Sequence, residues 1–383
     1  MTIKNIPVGY KDSPLGIIPM EWEVKRLGDI CTYFKSGKSI TSSNLNNDGC
    51  YPVYGGNGLR GFSCDYTHDG TYILIGRQGA LCGNINYVEG KNYISEHAIA
   101  VQSRENMLWL KYKLEYWNLN RYSESSAQPG LSVEKLVRYK LTLPPLAEQE
   151  KIAEILSTWD KAIEKQTQLI QKLELRKKGL MQQLLTGKKR LPGFTDEWKK
   201  VKAGLIFKSV SIRSNKQEIL LSATQEHGVI PRDMLESRVT MPTGDLSSFK
   251  LVDVGDFVIS LRSFEGGIEY SQYRGVVSPA YTVLKKALDV DSAFYKAYFK
   301  SNDFIQRLSV AVIGIRDGKQ ISYSDFAYIK IPFPALQEQT AIANILSSSD
   351  EEIRLAQDKL AAMKEQKKGL MQVLLTGKRR IIK

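Results

Sequence analysis

The chain has 383 residues, enough for two or three domains, and its ordinary content of 42% apolar and 25% charged residues argues against a low-complexity chain. No apolar run approaches roughly 18 residues and residues 1–19 lack an apolar signal segment, so we expect a cytoplasmic protein without a membrane span. The net charge of +13 is spread along the chain and favours nucleic acid as partner, with a basic protein lacking such a ligand as the alternative.

The first segment, residues 1–143, predicts a mixed α/β globule with mainly antiparallel strands. A polar lead-in of about 20 residues precedes Trp22, which we expect to anchor a core. Short runs rich in Tyr, Val and Ile and broken by glycine predict strands, one of them at 72–75, and a helix is predicted near 108–116.

All 4 cysteines lie in this first segment, and none belongs to a C-x-x-C motif. A zinc site would have to start from Cys64 and His68, and the chain has only 3 histidines to complete it. We therefore predict reduced, structural thiols and no metal site.

Residues 144–190 return as residues 334–380, at a constant offset of 190 without a gap and with 23 of 47 positions identical. Both copies carry an apolar heptad, which predicts a coiled-coil seam between two similar helices. The predicted seam residues are Ile152, Leu156, Trp159, Ile163, Ile170, Leu173, Leu180 and Leu184 in the first copy and Ile342, Leu346, Ile353, Leu360, Met363, Leu370 and Leu374 in the second.

The ends of these helices are also predicted by the sequence. Pro145 suits a first helical position, and Gly187 supplies a stop in the first copy, as Gly377 does in the second. A helix over 146–185 would be roughly 60 Å long at ~1.5 Å per residue, which suits a spacer. Interior glycines cost about 1 kcal/mol relative to alanine, so the retention of Gly179 and Gly369 predicts close helix contact there.

The segment between the two copies, residues 191–333, opens like the first segment and then diverges from it. Trp198 matches Trp22, so we expect a second core anchor. Strand-like runs with glycine turns include 257–261, and a helix is predicted over 292–307. The sequence thus predicts four parts: a globule at 1–143, a helix at 144–190, a globule at 191–333 and a helix at 334–383.

Two unlike globules on a repeated framework indicate a long ligand that is bound at two places. If both globules had one task, they would need similar surface residues, whereas only the framework is alike. Duplex DNA fits this requirement, and the basic charge of the chain supports it.

Six segments carry recognisable motifs, and in this order they resemble the DNA specificity (S, HsdS) subunit of type I restriction-modification systems over nearly the whole chain. The motifs are Trp-Glu-Val-Lys-x-Leu-Gly-Asp from Trp22, Val-Tyr-Gly-Gly-Asn-Gly from Val53, Leu-Ile-Gly-Arg-x-Gly from Leu74, Pro-Pro-Leu-x-Glu-Gln-x-x-Ile from Pro144, Gly-Leu-Met-Gln-x-Leu-Leu-Thr-Gly from Gly179 and Ser-Leu-Arg-Ser-Phe-x-Gly-Gly from Ser260.

The resemblance implies an α+β fold with two target recognition domains, of mixed and largely antiparallel β structure with helices, separated by two long antiparallel coiled-coil helices in a pseudo-twofold repeat. It implies that each domain reads one half of a bipartite DNA site, that the helices act as a ruler, and that two methyltransferase (M) subunits and two motor-nuclease (R) subunits are partners in phage defence. It also implies S-adenosylmethionine on the M subunit and ATP and Mg²⁺ on the R subunit, with no cofactor on this chain. Half-sites about one turn, or roughly 10 base pairs, apart would leave an unread gap of about 5 to 8 pairs.

Candidate DNA-contacting residues are those that present paired donors or donor–acceptor pairs to base edges. In the first globule they are Asn57, Arg60, Arg77, Gln78 and His97, together with Ser125, Ser126 and Gln128 in a loop that resembles one ending the family's first recognition domain. In the second globule they are Arg262, Ser263, Tyr270, Tyr273, Arg274, Tyr281, Arg316 and Lys319. The same residues also have interpretations that do not involve DNA. The glycine-rich segment would then be a tight turn, the arginines would belong to a salt-bridged loop, the histidine would be structural and the tyrosines would pack in the core.

An autonomous enzyme is the first opposing hypothesis. Amino-methyltransferases need an Asn/Asp-Pro-Pro-aromatic loop, which the sequence lacks, and a phosphate loop at Gly37 fails because Thr32 stands where a glycine is required. We therefore predict a non-catalytic subunit. A coiled-coil adaptor whose globules bind proteins is a further alternative, as is the reader of another methyltransferase–nuclease system.

Overall fold

A computed structural model describes residues 6–79, 81–123, 130–213, 218–235, 248–261, 263–311 and 321–381. The chain forms two compact units: unit 1 combines Met1–Thr167 with Asp358–Lys383, and unit 2 is Gln168–Gln357. Each unit therefore takes the first part of one long helix and the last part of the other. The four-part division after residues 143, 190 and 333 follows the sequence repeat and stays a prediction.

Unit 1 has a mixed fold with mainly antiparallel strands, as predicted. Its strands are Tyr10–Lys11 (β1), Ile18–Pro19 (β2), Glu23–Arg26 (β3), Cys31–Ser36 (β4), Tyr51–Gly55 (β5), Gly58–Ser63 (β6), His68–Asp69 (β7), Tyr72–Gly76 (β8), Ile85–Val88 (β9), Lys91–Ile94 (β10), Ala98–Ser103 (β11) and Lys140–Leu143 (β12). Its helices are Leu27–Ile30 (α1), Met107–Trp117 (α2), Val133–Leu136 (α3) and the first part of Leu146–Leu184 (α4), with 3₁₀ turns at Ser42–Asn44 and Leu119–Tyr122. The helix predicted near 108–116 is confirmed by α2.

Unit 2 repeats the framework with different inserts. Its strands are Lys199–Lys202 (β13), Phe207–Val210 (β14), Leu221–Thr224 (β15), Gly228–Pro231 (β16), Lys250–Val252 (β17), Phe257–Ile259 (β18), Glu269–Tyr270 (β19), Gly275–Val277 (β20), Thr282–Lys286 (β21) and Lys330–Phe333 (β22). Its helices are Ala203–Ile206 (α5), Ser263–Gly266 (α6), Ser292–Phe299 (α7), Asn302–Ala311 (α8), Tyr323–Tyr328 (α9) and the first part of Leu336–Leu374 (α10), with a 3₁₀ turn at Arg232–Met234.

The central sheet of each unit has the same antiparallel strand order. In unit 1 it is β4-β11-β8-β9 and in unit 2 it is β14-β21-β18-β19. Successive side chains of a strand point to opposite faces, so a strand buried on both faces is apolar throughout. In β8, Ile73 and Ile75 pack into one apolar cluster while Tyr72 and Leu74 pack into another.

Outside these sheets the strands of the two units pair in the same order, although the sequences diverge and the pairing in unit 2 is less extensive. Unit 1 has a second four-stranded sheet, β6-β5-β10-β7, in which β5 and β10 run parallel. Unit 2 has the corresponding pairs β16-β15 and β20-β17, which are linked by the isolated parallel bridge Leu220–Val276 instead of a continuous ladder. The pair β3-β12 in unit 1 corresponds to β13-β22 in unit 2.

Two elements of unit 2 are shorter than predicted. The helix predicted over 292–307 is divided into α7 and α8, because the Ser301 hydroxyl donates to the Tyr298 carbonyl and accepts from the Phe304 N–H, which starts a new helix. The strand predicted over 257–261 ends at Ile259, because the Ser260 N–H turns to donate to the Ser263 hydroxyl.

The two long helices are confirmed as 39-residue elements, each about 58 Å long at ~1.5 Å per residue. Every predicted seam residue is buried or half-buried. Within unit 1, Asp160 of α4 pairs with Lys367 of α10, and within unit 2, Lys177 of α4 pairs with Asp350 of α10. None of the described helices is apolar enough over a sufficient length to cross a bilayer.

A buried glutamate at the start of each long helix joins three segments of its unit. Glu148, 1% exposed, accepts hydrogen bonds from Trp22 Nε1 at 2.9 Å and from Arg380 Nε at 2.9 Å. Arg380 follows the end of α10, and Glu148 lies in the first turn of α4, so the helix segments of unit 1 run in opposite directions. The antiparallel pairing is thus confirmed in unit 1.

Unit 2 contains the same arrangement. Glu338, also 1% exposed, accepts from Trp198 Nε1 at 2.8 Å and from Arg190 Nε at 2.7 Å. Trp22 is fully buried and Trp198 half-buried, which confirms both as core residues. Arg190 thus neutralises a buried carboxylate in unit 2, as Arg380 does in unit 1.

The glutamine that follows each of these glutamates fixes the shorter helix of its globule. Gln149 Oε1 accepts from the Asn106 N–H at 3.0 Å, and Asn106 is the N-cap of α2. Gln339 Oε1 accepts from the N–H of Asp291, the N-cap of α7, at 2.9 Å. The Glu-Gln pair therefore orients each globule on its long helix.

A buried lysine holds the end of α10 in unit 1. Lys113, 3% exposed, donates to Thr142 Oγ1 at 2.8 Å and to the Leu375 carbonyl oxygen at 2.6 Å. Burial lowers the pKa of Lys113 to about 7. The ammonium satisfies a helix-end carbonyl that has no partner within the helix.

The four glycines of the helix repeat have two different roles. Gly187 and Gly377 have φ angles of +70° and +73°, so they terminate the helices as predicted. A Cβ on Gly187 would lie 3.2 Å from the Trp198 ring. The prediction for Gly179 and Gly369 was wrong: a Cβ on either would meet no described atom within 4 Å, because both face open space in this chain.

We expect Glu148→Ala to lower the free energy of unfolding by about 3 kcal/mol, because it leaves the Arg380 guanidinium and the Trp22 indole N–H without their acceptor. Glu150→Ala, in the same helical turn but exposed, is the matched control and should change stability by less than about 0.5 kcal/mol. Scanning calorimetry of both variants makes the comparison, and equal losses would contradict the role given to Glu148.

Gly179→Ala should stabilise the chain by about 0.5 to 1 kcal/mol, because alanine favours the helix and the site has room for its methyl group. Gly187→Ala should destabilise it, because its backbone is left-handed and the Trp198 ring is in the way. Urea unfolding of the two variants should move the midpoint in opposite directions; a shift of both in one direction would refute this assignment.

Candidate nucleic-acid interface

The hairpin β5–β6 presents two of the predicted DNA-contacting side chains. Asn57 is exposed in the turn between the strands, and Arg60 is exposed two residues into β6. Gly58 has a φ of +101°, a conformation that favours glycine and lets the strands reverse within two residues. The side chain of Arg60 lies over Gly55, where a Cβ would come within 2.5 Å of Arg60 Cδ.

Three separate segments meet at this hairpin tip. The Arg77 N–H, at the end of β8, donates to the His97 carbonyl oxygen at 2.9 Å. A Cβ on Gly56 would lie 2.8 Å from that same oxygen and 3.4 Å from Gly76 Cα, so the tip packs directly on both segments. The structure thus brings the segments of Asn57, Arg77 and His97 together.

Gln78 is exposed beside this cluster and forms an isolated antiparallel bridge with Gly130. The next residue, Leu131, donates its N–H to the Arg77 carbonyl oxygen at 2.9 Å. The Cys82 thiol donates to the same carbonyl oxygen at 3.4 Å. The end of β8 is therefore held by neighbours on both sides of the predicted reading residues.

Polar atoms that the sequence interpretation missed lie under the hairpin. Ser95 is fully buried, and a Cβ built on Gly55 would lie 3.4 Å from Ser95 Oγ. A Cβ built on Gly58 would lie 3.4 Å from Asn86 Oδ1. Ser95 Oγ, Asn86 Nδ2 and Glu96 Oε2 have no hydrogen-bond partner among the described residues. No pattern in the sequence marks them, because tertiary contacts alone bring them to the hairpin.

His97 lies beside a carboxylate. Its Nε2 is 3.4 Å from Glu96 Oε1, and the His97 side chain is 44% exposed. His68, the other histidine of this globule, is buried between Tyr33, whose hydroxyl is 3.1 Å from Nε2, and Thr67, whose hydroxyl is 2.7 Å from Nδ1. Burial lowers the pKa of His68, and nearby Lys38 lowers it further.

In the second globule, Ser263 does not fit the predicted DNA contact. It is 1% exposed, and its hydroxyl accepts from the Ser260 N–H at 2.8 Å. Its carbonyl oxygen accepts from the Gly267 N–H at 2.9 Å. Ser263 therefore shapes the loop after β18 rather than presenting a side chain to a ligand.

The other predicted residues of this globule combine exposure with structural contacts. Arg274 is exposed and pairs with Asp253 and, at 3.3 Å, with Glu218. A hydrogen bond from Lys285 holds the pKa of Asp253 below its usual range, and Arg274 adds to the effect. The arginine is thus partly neutralised, which weakens its attraction for phosphate.

The tyrosines of this globule are half-buried. Tyr270 packs its ring edge against Phe257 at 5.3 Å, and burial raises the pKa of Tyr270. Tyr273 and Tyr281 pack against an apolar cluster that contains Val252 and Val283. Part of each tyrosine ring is therefore buried by core packing, and only the rest is accessible to a ligand.

Six predicted contacts lie outside the described residues. They are Ser125, Ser126 and Gln128 in the first globule and Arg262, Arg316 and Lys319 in the second. Across the ranges that the structure describes, no group of three or more His, Cys, Asp or Glu side chains is placed to hold a metal ion.

The sequence matches a family model described as the type I restriction modification DNA specificity domain, once over residues 19–175 and once over 196–365. It is similar to the EcoprrI specificity subunit of Escherichia coli, with 42% identity over 159 residues that cover 39% of this chain and 39% of that relative. It is also similar to the MjaVIII specificity subunit of Methanocaldococcus jannaschii, with 27% identity covering 95% of this chain and 94% of the relative.

Two solved structures share the fold. The S subunit of a type I restriction-modification system from M. genitalium aligns with a TM-score of 0.61 at 14% identity, covering 92% of this chain and 96% of that one. A chain from a structure on complex assembly of the type I R-M system aligns with a TM-score of 0.58 at 15% identity, covering 94% and 99%. At this identity the likeness concerns the fold.

We expect Gly56→Ala to destabilise unit 1 by about 1 to 3 kcal/mol, because its methyl group would collide with the His97 carbonyl oxygen and separate the hairpin from the end of β8. Asn57→Ala, in the same turn but exposed, is the control and should be nearly neutral. Amide exchange of the Arg77 N–H should accelerate in the first variant alone. Unchanged exchange there would mean that the three segments do not depend on this contact.

Proposed function

This chain belongs to the family of type I restriction modification DNA specificity proteins, and from that premise we propose that it is the sequence-reading subunit of such a system. Each globule binds one half of a bipartite, asymmetric DNA site, and the two long helices set the gap between the halves. The chain thereby directs adenine methylation and restriction to its target.

One observation carries this proposal. The family model matches the chain twice, and the two matched regions contain globules whose sequences differ. The framework contacts recur in both units. In each, a tryptophan indole and an arginine donate hydrogen bonds to the buried glutamate, and the next glutamine accepts one from the N–H of a helix N-cap residue. The second sheet is continuous in unit 1 and interrupted in unit 2, and the sequences of its strands and loops differ between the two units. Two globules that have the same framework contacts but different surface residues are suited to bind two different half-sites.

The cluster at the tip of β5–β6 is the proposed reading surface of the first globule. Asn57 has the amide that pairs with adenine, and Arg77 has the guanidinium that pairs with guanine. Gly56 brings the hairpin backbone close to the segments of Arg77 and His97, which positions side chains from distant parts of the chain on one surface. In the second globule, the described candidates with exposed or half-buried side chains are Arg274, Tyr270, Tyr273 and Tyr281.

We infer that the chain itself is not catalytic. Methyl transfer and DNA cleavage belong to partner subunits, with S-adenosylmethionine on two methyltransferase subunits and ATP and Mg²⁺ on two motor-nuclease subunits. This chain selects the DNA sequence that is bound, and its basic residues add affinity for the phosphate backbone.

The repeat itself supports docking of one kind of partner at two equivalent places. Residues 164–176 share no identity with 354–366, whereas the last turns of both helices are nearly identical. Lys178, Gln182 and Lys188 are exposed, as are their counterparts in the second copy, Lys368, Gln372 and Lys378. Packing within the chain does not require exposed residues to stay alike, so a shared partner is the better explanation.

The local shape and charge indicate what this partner surface presents. Lys178 and Gln182 are four residues apart and lie on one helix face, and Gly179 leaves room beside them for a close helix. Lys178, Gln182 and Lys188 line a cavity of about 890 Å³ within unit 2. We propose that an acidic helix of the methyltransferase partner docks here and at the equivalent face of α10.

Co-expression with the methyltransferase partner tests the function. Methylome sequencing should show one asymmetric, two-part motif with methylated adenines; a continuous palindrome or no motif would reject the proposal. Arg77→Ala should relax or change only one half of the motif, at a cost of about 1 to 3 kcal/mol in binding. Arg274→Ala, in the second globule, should affect only the other half, and an effect of either variant on both halves would contradict separate reading.

Charge reversal tests the docking faces. Lys178→Glu should remove one bound methyltransferase copy, and Lys178→Glu with Lys368→Glu should remove both, because like charges would face each other. Native mass spectrometry counts the copies. Lys172→Glu is the control, since it is exposed in the diverged part of α4 where the other copy has Ala362. If it disrupts assembly as strongly, docking does not depend on the identical face.

A further inference from the structure

Two exposed cysteines flank the hairpin that carries Asn57 and Arg60. Cys50 precedes β5 and Cys64 follows β6, and both are free and exposed. The antiparallel register pairs Tyr51 with Ser63 and Pro52 with Phe62. Extending this register by one residue places Cys50 opposite Cys64.

A second contact keeps the two chain segments together at this end. A Cβ on Gly49 would lie 3.0 Å from Phe62 Cβ and 3.3 Å from the Ser63 backbone nitrogen, so the segment before Cys50 packs on the end of β6. The rings of Tyr51 and Tyr66, one residue after Cys50 and two after Cys64, are 5.0 Å apart. The chain before Cys50 therefore crosses the end of β6, where Asn46 also pairs with Phe62, and stays close to the segment that leads to Cys64.

Opposed residues of an antiparallel pair have Cα atoms about 4.5 to 5.5 Å apart and side chains on the same face. Disulfides bridge Cα separations of about 4.4 to 6.8 Å. We propose that Cys50 and Cys64 are a dithiol modification site that low-molecular-weight disulfides oxidise to an intrachain disulfide. The pair closes the open end of the hairpin.

The chemistry is two successive thiol–disulfide exchanges. The thiolate of one cysteine attacks a sulfur of the reagent disulfide, which breaks the reagent S–S bond, forms a mixed disulfide and releases one reagent thiol. The thiolate of the other cysteine then attacks the protein sulfur of that mixed disulfide and releases the second reagent thiol. Two protein thiols are oxidised to one disulfide, and one reagent disulfide is reduced to two thiols.

The other two cysteines are poorly suited to compete. Burial raises the pKa of the Cys31 thiol to about 12, and it raises the pKa of the Cys82 thiol as well. Cys82 is 1% exposed, and its thiol donates to the Arg77 carbonyl oxygen. Oxidation should therefore be selective for the exposed pair.

A covalent tie at this place acts on the proposed reading surface. The disulfide would hold β5 against β6 at the end opposite the turn, so opening of the hairpin would no longer separate its strands there. The predicted modification itself does not depend on DNA binding, because it follows from the register and the exposure of the thiols.

Oxidised glutathione, applied to the full-length native protein, is the test. We expect an intact mass lower by two hydrogens and a peptide map with a Cys50–Cys64 link. Cys50→Ser and Cys64→Ser should each gain one glutathione instead, because the remaining exposed thiol stops at the mixed disulfide. The variant with both Cys31→Ser and Cys82→Ser should form the link as wild type does.

Wild-type protein that carries one or two glutathiones without losing two hydrogens would overturn the proposal, as would a link to Cys31 or Cys82. Glutathione uptake by the single-serine variants shows that each thiol is accessible to the reagent, so an absent link in the wild-type protein cannot be ascribed to unreactive thiols. The methylome result is independent of this measurement, and either conclusion can fail alone.

Discussion

The buried carboxylate at the start of each long helix is the interaction on which each unit depends. Glu148 accepts from the Trp22 indole and from Arg380, and so ties the opening of a globule, the first turn of α4 and the segment after α10 to one side chain. A carboxylate excluded from water is costly unless it is paired, and here both partners are provided by distant segments. The unit therefore assembles only when all three segments are in place.

This arrangement separates support from recognition. In both units the contacts at the helix ends recur with the same residue types, while the segments between the strands of the central sheet differ in sequence and in the extent of their strand pairing. A globule can therefore exchange its surface loops without disturbing Glu338 or Gln339, which contact only the framework. Such a design suits a protein whose targets vary while its assembly stays constant.

The repeat allowed much of the framework to be predicted, because helical periodicity and glycine stops are local signals. The long helices and the tryptophan anchors followed from it. Gly179 was misinterpreted, since a sequence shows that a glycine is retained but not whether its face meets this chain or open space. The meeting of Gly56, Arg77 and His97 was not predictable, because contacts between residues so far apart in sequence depend on the sheet order, and Ser263 was misjudged because its burial depends on a turn.

The equal length of the two helices has a further consequence. The same number of residues separates Asp160 from Lys177 in α4 as separates Asp350 from Lys367 in α10, and each of these residues is paired within its unit. Within a unit, an insertion into one helix segment alone, between this ion pair and the buried glutamate, would therefore break one of the two contacts. Inside each unit, the seam thus accepts a change of length only when both of its antiparallel segments change by the same number of residues.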